Sequence, residues 1–414
     1  MGDKTETAQQ GFGFALNDST LALAALAVFL SAAVLWSARG ANVEKTDFAL
    51  TYVGAHIVHT GMGRHLYDVG LQVQLRDAMF QHPSPLYFEH PPFEAVVLSP
   101  LAAVSFRTAH TTWGLCNVAI LLAAIVWLRR YLPWPSEDIA YLFLWLLFAP
   151  LLVAIYQGQS SIVVLAAYAA AFVQLRKGNT LTAGVVFGLA LLKFQFAVPF
   201  AAIFLLRKQW RFVAGFSAVA LGLATVSLIG VGWSGATDYV RLLMRIGSNP
   251  QNISYGSAVD MPTLHGLLYA IAGPIGPSAV NIAVAVLSVA LLAWVAGDRP
   301  SRSDSKIPDH LFAASIAASL LCGSHMFTHD FSPLALGMFV AGTRLAALSR
   351  GPRITLGLTL VVFWMFPLYF LFVKWHCLYL MAAVLLLFTW GCVQGGRSTG
   401  RDAESAELQP VAAQ

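Results

Sequence analysis

Charge is what this 414-residue sequence has least of: 11% of its residues are Asp, Glu, Lys or Arg, against 57% hydrophobic. With a mean hydropathy of +0.68, that scarcity excludes a soluble globular protein and leaves an all-α polytopic membrane protein. Cysteine is scarce as well. Cys116, Cys322, Cys377 and Cys392 each lie in an apolar stretch without CxxC spacing, so they read as small buried hydrophobes. Glycine-rich phosphate loops are missing: there is no Walker pattern and no Rossmann fingerprint, nor a G-x-S-x-G elbow. Nucleotide-driven transport and serine hydrolysis therefore have no support. No polar stretch is long enough to fold as a separate soluble domain. The net charge of +5 needs no nucleic-acid partner, because the basic excess sits in short loops between apolar segments and sets orientation.

What polarity there is gathers in one place. The stretch from Asn42 to Ser105 follows the first apolar segment and holds His56, His59, His65, His82 and His90 together with Asp47, Asp68, Glu89 and Glu94. A membrane protein that concentrates ionisable groups in one loop is expected to bind or react there.

Apolar segments able to host spans fall at about 20–37, 109–128, 138–156, 160–175, 180–193, 196–206, 212–231, 278–296, 310–324, 331–348, 354–373 and 376–393. Residues 180–206 must go out and back as a short hairpin turning near Lys193-Phe194-Gln195. The run Pro92 to Ser105 is treated separately. If it does not cross, Arg129/Arg130, Arg176/Lys177, Arg207/Lys208/Arg211, Arg299/Arg302/Lys306, Arg344/Arg350/Arg353 and Arg397/Arg401 share one side with Lys4. The positive-inside bias makes that side cytoplasmic. The expectation is thus twelve spans, both termini inside, and a re-entrant or interfacial helix at 92–105.

On this topology Gln157-Gly158-Gln159, the Lys193 turn, Arg241, Arg245 and the segment Ser324-His325-Met326-Phe327-Thr328-His329-Asp330 all face outward. Asp47 reads as the N-cap of a surface helix carrying Tyr52, His56 and His59, or as a general base over a membrane cavity. Lys193, a strong base inside an apolar hairpin, needs a carboxylate or an anionic ligand as partner. His325 and His329 have the four-residue spacing of metal ligands, but the H-E-x-x-H pattern is missing and phosphate or hydroxyl contact fits better.

Several short motifs occur in a fixed order: Asp47-Phe48, Leu66-Tyr67-Asp68, Tyr87-Phe88-Glu89-His90-Pro91-Pro92, Ser99-Pro100-Leu101, Gln157-Gly158-Gln159, Leu192-Lys193 and Ser324-His325…Asp330. Together they resemble the family-87 glycosyltransferases of the GT-C superfamily, which include bacterial polyprenyl-phosphate-mannose-dependent mannosyltransferases. Two positions depart from the family pattern: Gly323-Ser324 replaces Ser-Pro, and His329 stands where Tyr is common. The resemblance implies one membrane-embedded transferase domain over 1–394, with amphipathic helices in a first periplasmic loop at 38–108; the cytoplasmic tail at 395–414, rich in Ala, Glu, Ser and Gln, reads as disordered by composition. It implies an inverting transfer of a hexose, mannose by family weight, at the outer side of a bacterial plasma membrane. The donor is a polyprenyl-phosphate sugar and the acceptor a glycolipid or polysaccharide hydroxyl; no metal or other cofactor is implied. Asp47 then matches the catalytic residue. Lys193, His325, His329, Arg241 and Arg245 become candidates for the donor phosphate, and His56, Tyr67, Glu89, His90, Gln157, Gln159 and Asp330 for substrate contact. The competing readings are a secondary transporter or lipid flippase, which predicts an internal repeat that is not found, and a non-catalytic subunit of an envelope-glycan assembly.

Overall fold

The computed structural model describes residues 18–80, 86–132, 139–248, 258–297 and 307–407. Among them every regular element is helical. In chain order, α1 (Asp18–Ser37) leads into a loop unit of α2 (Phe48–His59), α3 (Val69–Met79) and α4 (Pro92–Leu98). A bundle follows with α5 (Phe106–Leu128), α6 (Ile139–Leu147), α7 (Ala149–Gln157), α8 (Ser161–Arg176), α9 (Thr180–Phe187), α10 (Phe194–Leu206), α11 (Trp210–Ser248) and α12 (Leu264–Ala272). It closes with α13 (Pro277–Ala296), α14 (Asp309–Leu321), α15 (Leu334–Gly342), α16 (Arg350–Trp364), α17 (Phe366–Lys374) and α18 (Leu380–Glu407).

Six of these runs are long and apolar enough to cross a membrane, or seven if the α16–α17 pair, bent by 71°, is one span. The remaining segments expected to span are short or broken, such as the 16-residue α8 and the 13-residue α14. One of the six runs, Thr180–Leu206, is not a straight rod. Phe187 and Phe200 are thirteen residues apart, about 20 Å along a straight helix, yet their ring centroids lie 4.6 Å apart. Both rings also meet Tyr168, at 4.8 and 4.9 Å. The chain reverses at Lys193, which has left helical geometry at φ −124°, ψ 66°. The lysine sits at the apex of a hairpin.

The hairpin is held from outside by α11. Gly184 and Gly188 face it, and Gly184 meets the Phe212 carbonyl with no room for a side-chain carbon. Small residues four apart permit this backbone approach within a bilayer. Gly232 (φ 67°, ψ 178°) interrupts α11, so the outward segment that the sequence assigns to a loop after Gly232 begins as a helix. Just before that break, Gly230 abuts Gly63 and Val96 of the first-loop unit.

That unit differs from the expected surface-lying amphipathic helix. Eight residues of α2, Phe48, Ala49, Thr51, Tyr52, Val53, Gly54, Ala55 and Ile57, are buried. The Tyr52 hydroxyl donates to the Val104 carbonyl at 2.7 Å, and the Phe88 ring lies directly on Gly54. The helix is a core element because α4 and the 3-10 turn Ser99–Ala103 cover it. Residues Pro92–Ala103 form a single short apolar helical run, about 18 Å long and too short to cross a bilayer.

The bundle has two chemically distinct ends. At one, Arg176 pairs with Asp309, donates to the Tyr131 carbonyl at 3.0 Å, and shares Asp309 with Arg344 at 2.9 Å. Arg207, just past the end of α10, donates to the carbonyl of Ala296, the last residue of α13, at 2.9 Å. At the other, Ser161 at the start of α8 donates to Asp330, about 22 Å along the helix from Arg176. α18 runs to Glu407, in keeping with the helix propensity of its Ala, Glu and Arg content. Arg299, Arg302, Lys306, His82 and the tail beyond Glu407 lie outside the described residues.

Candidate active site

The site grows from the end of α7. Gly158 terminates that helix in the left-handed region, φ 65°, where glycine is the natural C-terminal residue. A Cβ there would stand 2.7 Å from the Phe48 Cβ, so the turn presses against the residue next to Asp47. The two flanking glutamines grip Asp47 from both sides. Gln157 Oε1 accepts from the Asp47 backbone N–H at 3.0 Å, and Gln159 Nε2 donates to Asp47 Oδ2 at 2.7 Å. Trp113 Nε1 fixes the turn by donating to the Gly158 carbonyl at 2.8 Å. Asp47 does occupy the N-cap position of α2, but its side chain caps nothing. Its carboxylate is 30% exposed and is directed at the polar cluster instead.

From Gln159 the contacts run in a closed circuit. Lys193 Nζ donates to Gln159 Oε1 at 2.9 Å and lies 3.2 Å from Asp330 Oδ1. Asp330 Oδ2 is 3.4 Å from His329 Nε2, and His329 Nδ1 is 3.8 Å from Asp47 Oδ2. Five side chains from four separate segments thus form one ring. Asp330 is 1% exposed and takes further hydrogen bonds from the Ser161 hydroxyl and the Phe327 N–H. Burial favours its neutral form, but the His329 imidazole, the Lys193 ammonium and these donors outweigh it and hold the carboxyl far below the usual range. Asp330 is therefore the fixed counter-ion that lets Lys193 sit buried with its charge.

The facing wall is residues 86–91, held from behind by three buried side chains of the loop unit. Arg76 donates to the Leu86 carbonyl at 2.6 Å. Gln72 accepts from the Phe88 N–H at 2.6 Å and donates to the Phe88 carbonyl at 3.2 Å. Tyr67 donates to the His90 carbonyl at 2.7 Å. Clamped this way, the segment presents Glu89 and His90 to a cavity of about 130 Å³, whose lining also includes Asp47, Gln159, Lys193, His325 and His329. Glu89 lies 3.8 Å from His325. Burial is the main cause of a His325 pKa pushed down to about 4, against the pull of Asp330 and with the push of Lys193. His325 is accordingly neutral at pH 7 and offers hydrogen bonds, not charge. The two histidines face different partners: His329 faces Asp47 and Asp330, and His325 faces Glu89. Among the described residues no three His, Cys, Asp or Glu side chains are grouped to hold a metal ion.

Several residues picked from the sequence lie elsewhere. His56 is outside the cavity lining, and burial and His59 lower its pKa. Arg241 is exposed and paired with Asp238 at 2.8 Å, and the exposed Arg245 is off the cavity wall. Tyr67, Gln157 and Asp330 support the wall from behind. Sequence reasoning missed Glu94, 2% exposed and bonded to His90 Nδ1 at 2.9 Å; its four-residue spacing from His90 was the available signal.

The model of glycosyltransferase family 87 matches residues 88–328, more than half of the 414 residues. The chain belongs to glycosyltransferase family 87. No curated protein and no solved structure matches it. Membership makes this chain a glycosyltransferase and sets aside the transporter reading. The family match contains Glu89, His90, Gln159, Lys193 and His325 but stops short of Asp47, His329 and Asp330. In this family-87 chain it is the ring of contacts that joins Asp47 to the matched region.

Proposed function

We propose that this glycosyltransferase moves a hexose, mannose being the expected sugar, from a polyprenyl monophosphate to an acceptor hydroxyl on a glycolipid or polysaccharide. The observation that carries the reading is Asp47: Gln159 and His329 approach its Oδ2, while Oδ1 has no partner among the described residues. A carboxylate oxygen left free on the wall of a small polar cavity is suited to accept a proton. In the proposed step, Asp47 Oδ1 takes the acceptor hydroxyl proton as that oxygen bonds to the anomeric carbon. The bond from the anomeric carbon to the phosphate oxygen breaks, and polyprenyl phosphate leaves with the electron pair, giving inversion. Lys193 and the histidine-bearing wall stabilise the leaving charge.

Two further features support a lipid-borne donor. An apolar groove of about 500 Å³ between α5, α8 and α9 is lined by residues including Ala123, Trp127, Ala166, Ala170, Val163 and Leu189. Val163 and Leu189 are each roughly one helical turn from the cavity residues Gln159 and Lys193. The site also lies at the end of α8 opposite the Arg176 cluster, which under the positive-inside rule supports our reading of a site on the outer face of a bacterial plasma membrane. Twelve crossings with both termini inside remain our topology, with the α9–α10 hairpin contributing two short ones. Purified protein in lipid nanodiscs should transfer labelled hexose from a short-chain prenyl-phosphoryl donor and not from a nucleotide sugar. Transfer from the nucleotide sugar alone would overturn the reading.

A further inference from the structure

Lys193 cannot by itself supply the positive charge that a phosphate needs, because Asp330 at 3.2 Å already balances it. The cavity wall also carries two carboxylates, Asp47 and Glu89. Arg241 and Arg245 do not line the cavity. Another cation has to face the reacting phosphate, and the opposite wall holds a candidate. His90 turns Nδ1 to Glu94 Oε2 at 2.9 Å, so Nε2, at the far side of the ring, has no partner among the described residues. Glu94 is 2% exposed and His90 21%.

We propose that Glu94 is a positioning residue that keeps His90 as an imidazolium, and that the Nε2–H of His90 is the donor-phosphate contact on the wall facing Lys193. The inference rests on the phosphoryl-donor reading above. The architecture around the pair fits. Tyr67 fixes the His90 backbone carbonyl, and Pro91-Pro92 start α4 so that Glu94 falls one turn behind His90. A buried carboxylate pays its desolvation only if paired, and His90 is the partner the structure gives Glu94. The charged and titratable groups around the ring are Glu94 and Glu89 from its own segment, Lys193 from the hairpin apex and His325 from the turn after α14. Tyr67 and Tyr239 add their hydroxyls beside Glu94. Burial and Lys193 oppose the imidazolium, but Glu94, aided by Glu89, prevails and raises the His90 pKa above its ordinary value.

The test uses the full-length protein in nanodiscs and a short-chain prenyl-phosphoryl-mannose, a phosphodiester whose single charge does not titrate between about pH 5 and 9. Its affinity and its transfer rate are followed across that range. For the wild type, affinity should be highest in acid and fall through the raised His90 pKa. Glu94→Gln should move that fall to lower pH and weaken donor binding at neutral pH by about tenfold or more, the worth of one charged hydrogen bond. The acceptor KM should be unchanged, and Glu94→Asp should restore part of the wild-type profile. His90→Gln keeps the test usable if Glu94→Gln does not fold: it should abolish the pH dependence of donor binding. If the wild type binds and transfers but its pH profile is unchanged in both variants, the His90–Glu94 inference is overturned alone. If the wild type neither binds nor transfers from the prenyl donor, the donor reading falls and this inference falls with it.

Discussion

Gly158→Ala is the sharpest structural perturbation available, because it touches no charged group yet should disable the site. The residue has φ 65°, and forcing a β-carbon into that region costs about 1–2 kcal/mol. The added carbon would also lie 2.7 Å from the Phe48 Cβ. That contact cannot be relieved by a rotamer change, since a Cβ moves only with its backbone. Overpacking of this kind costs about 1–3 kcal/mol, so the sum is about 2–5 kcal/mol. The strain falls on the joint between Gln157-Gly158-Gln159 and Asp47-Phe48, and its relief must shift Asp47 against its two glutamine contacts. A displacement of the proposed base by about 1 Å lowers a rate on the order of a hundredfold. The variant should therefore melt earlier by detergent-solubilised thermal scanning and lose about two decades of kcat with labelled prenyl-phosphoryl-hexose. Full activity with an unchanged melt would show that the Gly158 turn does not set the position of Asp47.

Other consequences can be checked singly. Asp330→Asn should destabilise the protein by about 3–5 kcal/mol by leaving Lys193 buried without its counter-ion, and Asp330→Asn with Lys193→Met should recover folding in thermal scans without recovering transfer. Because the Asp330 pKa is lower folded than unfolded, its stabilising contribution is fully present well above the ordinary aspartate value and is lost progressively as pH falls from about 5; melting followed from pH 7 to about 5 should show no loss from this pair, and a loss should set in below that. His325 acts in the same direction, but in a higher pH window. With its folded pKa pushed down to about 4, its neutral burial should cost stability progressively as pH drops from about 6.5, and His325→Gln should remove that part of the acid sensitivity. At the far end of the bundle, Asp309→Ala should leave Arg176 and Arg344 without their shared carboxylate and lower the melting point, while kcat per folded molecule stays within about twofold, as expected for a site some 20 Å away.

The parts of the site that could be read from the sequence were those whose chemistry is conspicuous in an apolar context. A lysine in a hairpin needs a partner wherever it is, and Asp330 proved to be that partner. A Gln-Gly-Gln at a helix end announces a turn with two amides free to point one way, and they point at Asp47. What stayed hidden depends on tertiary cover. Residues of α2 such as Tyr52 and Thr51 look like the polar side of a surface helix, but α4 and its 3-10 extension bury them. Arg241 and Arg245 share an outer segment with the site, yet helical phase after Gly232 brings Leu243 and Ile246 to the cavity and leaves the arginines off it. Glu94 was passed over because a carboxylate in a short apolar helix looks like an ordinary first-turn acid until His90 is seen against it. The span count suffers for a related reason: α6 and α7, nine residues each and separated at Phe148 ahead of Pro150, are individually too short for the length rule.

The most direct measurement is single-turnover transfer by Asp47→Asn beside the wild type, with donor affinity determined on the same preparations. Asparagine keeps the shape of the side chain and its contact position near Gln159 but cannot take the acceptor proton. The rate should fall by about 10²–10⁴-fold with donor affinity little changed. A variant that still turns over near the wild-type rate would remove Asp47 from the role of base and, with it, the reason for the ring built around that carboxylate.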